Sequence, residues 1–107
     1  MKIAEISLLN RVKTGVDRLN QPIYTPTEKK LVARRIPISQ TEYFQAGQIG
    51  ISAEFCFIIS QFDYSGETMI KYEGKNYRIY RKYERNDNEL EIYVEYASGL
   101  NSEEEET

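Results

Sequence analysis

The sequence contains no histidine, no tryptophan and a single cysteine, Cys56. Without histidine there is no imidazole base and no Ser–His or Cys–His nucleophile pair. Zinc sites need several cysteine or histidine ligands, and this chain offers one in total. A lone cysteine cannot form an internal disulfide, which is typical of a protein kept in a reducing compartment. These absences predict no catalytic residue, no metal and no cofactor, and therefore a protein that is not an enzyme.

Long apolar runs are absent as well. The longest run, residues 55–59, is far shorter than the roughly 20 residues of a membrane-spanning helix, and no signal-like apolar stretch follows Lys2. Cys56 lies within this run, so we expect it to be a small buried side chain rather than a reactive thiol. The sequence predicts a soluble protein with no membrane partner.

The net charge of −3 hides an uneven distribution. Four of the 17 acidic residues form a terminal run at residues 103–106, and the other 13 nearly balance the 14 basic residues. A run of like charges repels itself and favours disorder. We therefore predict one domain over residues 1–98 and an acidic, disordered tail over residues 99–107.

Apolar and polar residues alternate along much of the chain, which predicts short half-buried strands. The segments with this pattern are residues 6–13, 31–36, 55–62, 70–79 and 90–96. Turn-forming residues fill residues 14–27, which we predict to be a long projecting loop, and loops of that length are often functional. Residues 63–66 and 85–88 predict turns, and Gly74 marks a tight hairpin connection.

One helix is predicted, because Ser39 and Glu42 match a capping box in which each side chain bonds the backbone of the other residue. The helix is expected over residues 40–48, with Tyr43, Phe44 and Ala46 as its apolar members. Five to six short strands and one inserted helix predict a mainly β fold, a small antiparallel β-barrel-like domain.

Basic and tyrosine residues interleave between Lys71 and Arg85, as they do in proteins that bind single-stranded nucleic acid by stacking bases on rings. On a regular strand Tyr77, Arg81 and Tyr83 share one face. A single-stranded nucleic-acid-binding barrel is therefore an alternative function, although acidic neighbours weaken the field. A third possibility is a small barrel that binds a peptide by strand addition.

The order of several segments resembles the head-closure family of tailed bacteriophages, also called head–tail connector, head–tail joining or stopper proteins, over residues 5–97. These segments are residues 17–22, residues 31–39, the set Glu42, Ala46 and Gln48, and residues 70–79 followed by a polar turn and an alternating strand. The chain departs from the family pattern at Val32, where tryptophan is common, and at Ser60 and Gln61, where the family often has an arginine.

The resemblance implies a structural virion protein. Its subunits form a ring that closes the DNA exit channel below the portal or adaptor protein and offers a docking surface to the tail. The implied partners are further copies of the chain, the portal or adaptor protein, and a tail completion protein. Double-stranded DNA passes the channel without sequence-specific binding. The implied location is the head–tail interface of the virion, after synthesis in the cytoplasm of the bacterial host.

Two polar segments are predicted to make the assembly contacts. The predicted contact residues are Asp17, Arg18, Asn20, Gln21 and Tyr24 in the projecting loop, and Asp63 and Tyr64 in the turn after the strand predicted over residues 55–62. That second turn is a candidate for the plug of the channel. If the acidic tail hangs near the lumen, its negative field repels DNA phosphates.

Overall fold

The computed structural model describes residues 2–97. Along the chain it has β1 (Lys2–Val16), β2 (Pro22–Ile36), α1 (Gln40–Gln48), β3 (Ala53–Ser60), a 3-10 helix (Gln61–Asp63), β4 (Met69–Tyr72), β5 (Lys75–Glu84) and β6 (Glu89–Tyr96). The mainly β class and the single inserted α-helix at residues 40–48 are confirmed. The predicted acidic tail lies outside the described residues.

The six strands form a closed antiparallel barrel in the order β1–β2–β3–β6–β5–β4. Closure depends on a short ladder in which β1 pairs with β4 from Ile6 to Leu9. On the other side, β2 pairs with β3 from Arg34 to Ile36. A closed barrel leaves no sheet edge along the strands that take part in it. The predicted barrel-like architecture is therefore confirmed.

Apolar side chains from all six strands fill the interior of the barrel. The largest of them are almost completely buried: Ile6, Leu8, Phe57, Ile70, Ile92 and Val94. At one end of the barrel the ring of Phe55 packs edge-on against Tyr72 and Tyr77, with centroids 5.3 and 5.5 Å apart. Edge-to-face geometry is the favourable one for aromatic pairs. The alternation predicted for the last strand is confirmed, because its apolar residues supply part of this core.

Helix α1 packs on the outer face of β3, so that this strand is covered on both sides. Cys56 and Ile58 are buried beneath the helix, with Ala46 of the helix itself. Ser39 caps the helix, because its Oγ accepts a hydrogen bond of 3.1 Å from the amide of Glu42. The predicted N-cap is confirmed, but the Glu42 carboxylate binds side chains of β5 instead of returning to Ser39.

Two local predictions are wrong. The strand predicted over residues 55–62 is too long at its end, where Phe62 is 82% exposed. The strand ends at Ser60 and the chain turns into the 3-10 helix, which changes the direction of the next side chains.

The second wrong prediction is the loop over residues 14–27. There β1 continues to Val16 and β2 already begins at Pro22, so only residues 17–21 form a turn. This ribbon buries neither face, and its sequence therefore lacks the apolar alternation that predicts strands. Pro22 is the first residue of its strand and Pro26 lies where β2 pairs with β1 alone among the described residues. Both are places where a sheet tolerates proline.

Candidate assembly surface

The β1–β2 hairpin extends beyond the barrel as a two-stranded ribbon, which we name the arm (residues 10–27). Its β1 half starts after Leu9, the last residue of β1 that pairs with β4. At about 3.3 Å per residue, the strand from Asn10 to Val16 carries the turn roughly 20 Å past the barrel. Every arm residue whose side chain is described is exposed. The arm accounts for the elongated shape of the molecule, 51 Å in its longest dimension against 34 and 24 Å.

Asp17 holds the turn at the end of the arm. Its Oδ1 accepts hydrogen bonds from the amides of Leu19 and Gln21, both at 2.9 Å. Its own amide donates to the carbonyl of Gln21 at 2.9 Å. Asn20 has a φ of 63°, a left-handed conformation that asparagine tolerates better than most residues. Of the predicted contact residues, Asp17 and Asn20 therefore shape the turn, whereas Arg18 has no such role in it.

The arm presents apolar and cationic side chains together. Its exposed large apolar residues are Val16, Leu19, Ile23 and Tyr24, with 52%, 77%, 44% and 54% of their surface accessible. Its charged residues are Arg11, Lys13 and Arg18, against one acidic residue, Asp17. Apolar side chains grouped at the end of a thin ribbon are typical of a surface that another molecule covers. Tyr24 was predicted from the sequence; the three aliphatic residues and the two cations at Arg11 and Lys13 were missed.

Charge divides sharply between the hairpin and the rest of the barrel. Residues 2–36 contain eight basic and three acidic residues, whereas residues 37–97 contain six basic and ten acidic ones. A count over the whole domain conceals this division, because the two parts nearly cancel.

Asp63 and Tyr64 lie at the base of the arm rather than at its end. The Lys29 ammonium is 3.6 Å from the Asp63 carboxylate and donates to the Asp63 carbonyl at 3.2 Å. The Tyr64 hydroxyl donates to the carbonyl of Glu67 at 2.7 Å, and its ring packs against the barrel core. The structure does not bring the two predicted sets of contact residues together. Tyr64 acts mainly as a packing residue.

The predicted nucleic-acid face does not form one surface. Tyr77 is 7% exposed and belongs to the barrel core. Beyond it the ladder shifts, because Ile79 pairs with Val94 but Arg81 pairs with Tyr93. The extra residue of this bulge turns Arg81 onto the outer face of the barrel, opposite to Tyr77.

The bulge on β5 also fastens the helix. It places two adjacent side chains on the outer face, and both reach Glu42: the Tyr80 hydroxyl donates to one carboxylate oxygen at 2.9 Å and the Arg81 guanidinium lies 2.8 Å from the other. The Glu42 side chain is only 8% exposed, so these two donors provide the compensation that a buried carboxylate needs. Arg81 also stacks 4.5 Å from the centroid of the Tyr93 ring. These contacts commit Arg81 to holding the helix.

In the layer between helix and barrel, the thiol and two of the phenol groups are held in the neutral form. Burial raises the pKa of the Cys56 thiol to about 12. Burial and the hydrogen bond to Glu42 raise the pKa of Tyr80, and burial with a hydrogen bond to Glu91 raises the pKa of Tyr93. The prediction that Cys56 is buried is confirmed, since the residue has no accessible surface.

Exposed apolar side chains also lie on α1 and at its C-cap, and we name them the helix patch (Tyr43, Phe44 and Ile49). These side chains are 53%, 66% and 74% exposed. The first two rings contact each other edge-on at 6.2 Å. Of the three residues named as the apolar members of the helix, only Ala46 is buried. Phe44 and Ala46 are two positions apart, about 200° around a helix, so they could not both have faced the barrel.

Where the arm leaves the barrel there is an open groove of about 740 Å³. An ion pair between Lys71 and Glu28 crosses this region at 3.5 Å. In the part of the chain that the structure describes, no group of three or more histidine, cysteine, aspartate or glutamate residues could hold a metal ion. Across residues 2–97, none of the helices has the length and apolar character needed to cross a membrane.

A scan of the chain against protein-family models gives no match, and a search among curated proteins gives none either. Its surfaces and the sequence resemblance are therefore the grounds for a functional proposal.

Proposed function

We propose that this protein is a structural subunit of the head–tail connector of a tailed bacteriophage. It forms a ring that closes the DNA exit channel below the portal or adaptor protein and presents the docking surface for the tail. The observation that carries the proposal is the arm, a ribbon exposed on both faces and tipped with apolar and cationic side chains. The order of sequence segments that resembles the head-closure family supports it.

The arm indicates a protein that functions by binding neighbouring chains. A two-stranded ribbon without a layer behind it is only marginally stable in water, so it adds nothing to the stability of a molecule that works alone. The barrel has closed its own edges, and the arm keeps open strand edges that a neighbouring chain can cover or pair with. Such an element suits a subunit whose neighbours complete it.

The charge division supports a ring. A closed ring is built from heterologous contacts, in which one surface of a subunit meets a different surface of the next. The positive hairpin and the negative remainder provide two such surfaces on one chain. The proposed partners are further copies, the portal or adaptor protein and a tail completion protein, at the head–tail interface of the virion. Double-stranded DNA passes through without being read.

Deletion of the gene from its phage or inducible prophage, followed by electron microscopy of the particles, tests the proposal. The expected particles are tailless heads that have lost their DNA, beside free tails. Intact tailed virions would contradict the proposal.

Complementation of that deletion tests the role of the arm. We expect Leu19→Asp to fail to restore infectivity, because a charge at the end of the arm opposes an apolar contact. Tyr83→Asp is the matched control on the barrel, at a residue that is 55% exposed against 77% for Leu19. Equal rescue by both variants would remove the arm from the proposal.

The arm also offers a different site for the alternative function, nucleic-acid binding. A basic two-stranded ribbon fits the major groove of DNA, and Arg11, Lys13 and Arg18 lie on one. This second candidate, nucleic-acid binding, predicts affinity for a short DNA duplex that falls steeply with salt. It also predicts weaker binding for Arg11→Gln combined with Lys13→Gln, and no change for Arg78→Gln on the barrel. Absence of salt-dependent binding would end this alternative.

A further inference from the structure

We infer that the arm of one copy docks on the helix patch of the next copy. This inference rests on the proposed ring and names the two surfaces that meet in it. Both surfaces are apolar and exposed on the same chain. They differ in charge, because the arm is basic and the helix segment has no basic residue. Two different surfaces on one chain suit a heterologous contact.

The arm and the helix patch of one molecule cannot contact each other. The helix packs on β3 and is fastened to β5 through Glu42. The arm belongs to β1 and β2 and extends away from the barrel, beyond the last pairs that tie these strands to their neighbours. A contact between arm and helix patch therefore joins two copies, and the second copy keeps its own arm for a third.

Charge favours this pairing over the symmetric ones. The arm has three basic residues and one acidic residue, whereas residues 38–54, which include the helix patch, have no basic residue and one exposed acidic residue, Glu54. The other acidic residue of this segment, Glu42, is buried against Arg81 and is not part of the exposed charge. Two arms facing each other bring like charges together, and like-charge contacts across an interface are costly. The arm of one copy on the helix segment of another brings unlike charges together.

The size of the contact explains why it needs a ring. The four apolar residues of the arm and the three of the helix patch are about half to three-quarters exposed. Aromatic side chains bury about 150–250 Å² each and aliphatic ones less, so the contact covers no more than about 700 Å². That is less than half of the roughly 1,600 Å² of a stable two-protein interface. A single contact is weak, and closure of the ring on a pre-existing scaffold multiplies it.

Disulfide cross-linking of the full chain tests the pairing. Cys56 is fully buried and does not interfere, so Leu19→Cys and Phe44→Cys each add one accessible thiol. At millimolar protein under mild oxidation, we expect a mixture of the two single variants to give dimers that contain one of each. The double variant gives a ladder beyond the dimer, since every copy then has both a donor and an acceptor surface. Tyr83→Cys replaces Phe44→Cys as the matched control and gives at least about tenfold less cross-linking.

Four outcomes overturn the inference. Dimers of Leu19→Cys alone mean that arms pair with arms, and dimers of Phe44→Cys alone mean that helix patches pair with each other. Equal cross-linking to the Tyr83→Cys control means random collision. No cross-link at millimolar concentration means that another protein covers these surfaces. The deletion phenotype is measured separately. If the deletion gives leaking tailless heads but the cross-link does not form, only the pairing of arm and helix patch is disproved. If the cross-link forms but the deletion gives intact tailed virions, only the connector function is disproved.

Discussion

The barrel and the arm are built from the same two strands, yet they differ in what holds them. In the first part of β1, Ala4, Ile6 and Leu8 are 4%, 1% and 1% exposed, because they point into the core. Past Leu9 the same strand has only the ladder with β2 to hold it, and its described side chains are exposed. Burial of apolar surface is the main source of folding free energy. The stability of this molecule therefore resides in the barrel, while the surface available for contact resides in the arm.

The largest expected difference is between apolar truncations in the two regions. Phe57 is completely buried and Leu19 is 77% exposed. Phe57→Ala is expected to lower the free energy of unfolding by about 3–5 kcal/mol, through lost burial and the cavity it leaves. Leu19→Ala is expected to change it by less than about 0.5 kcal/mol. Urea denaturation measures both, and a loss above 1 kcal/mol for Leu19→Ala would show that the arm packs on its own barrel.

Thiol labelling compares the two regions in a second way. Cys56 has no accessible surface, so a thiol reagent reaches it only when the layer between helix and barrel opens. Native Cys56 is expected to react at least about a thousandfold more slowly than in the unfolded chain, since native domains are stable by 5–15 kcal/mol. A cysteine introduced at Leu19 reacts at the rate of a free peptide thiol. Comparable rates at the two sites would contradict the comparison.

The same layer predicts a loss of stability at alkaline pH. The folded protein raises the pKa of Cys56 from 9.0 to about 12, so the folded state favours the protonated thiol. The unfolded chain releases this proton more readily. The contribution of the protonated thiol to the free energy of unfolding is therefore complete below pH 9 and is lost between pH 9 and 12. Cys56→Ala is expected to remove the part of the decline that begins at pH 9, and the part due to Tyr80 and Tyr93 remains. A flat unfolding free energy from pH 8 to 11 would disprove the assignment.

The contacts of Glu42 are expected to have an intermediate effect. Arg81→Ala leaves a carboxylate that is 8% exposed without its cation. The expected loss is about 2 kcal/mol, in the range for hydrogen bonds to charged groups. Arg78→Ala, an exposed arginine on the same strand, is the control and is expected to be nearly neutral. A double-mutant cycle with Glu42→Gln isolates the pair, and a coupling near zero would mean that apolar packing alone holds the helix.

The smallest expected effect compares two turns. Glu73 in the β4–β5 turn and Asn20 at the end of the arm have φ values of 50° and 63°. A left-handed conformation costs most residues about 1–2 kcal/mol and asparagine less. Glu73→Asn is therefore expected to raise the free energy of unfolding by up to about 1 kcal/mol. Asn20→Gly is expected to leave it unchanged, because the arm opens independently of the barrel. Equal stabilisation by both would mean that arm and barrel unfold together.

The sequence was sufficient where local signals and burial agree. The start of the helix followed from Ser39, and the strands around Phe57 and Ile92 followed from alternation. It did not predict the exposure of Phe44, because the residue type alone does not indicate which face of the helix meets the barrel. It also failed at Arg81, because a one-residue bulge reverses the alternation and no local motif announced it.

The candidate surface was predicted in part. Residues 14–27 were chosen as the contact region, and Tyr24 and Arg18 lie on the arm as exposed side chains. Their secondary structure was not predictable from periodicity, since a ribbon without burial has no apolar pattern. The separation of charge was present in the sequence, but it acquires meaning only when the first two strands are seen to form one projecting element.

By itself the sequence determined the elements whose signals are local: the capped helix, the buried alternating strands and the turns between them. The tertiary structure alone decided which face Arg81 occupies, which side chains receive the Glu42 carboxylate, and how far the first hairpin extends past its neighbours. These features depend on ladder pairing and closure between strands distant in the chain. Such non-local contacts leave no period in the residues that make them.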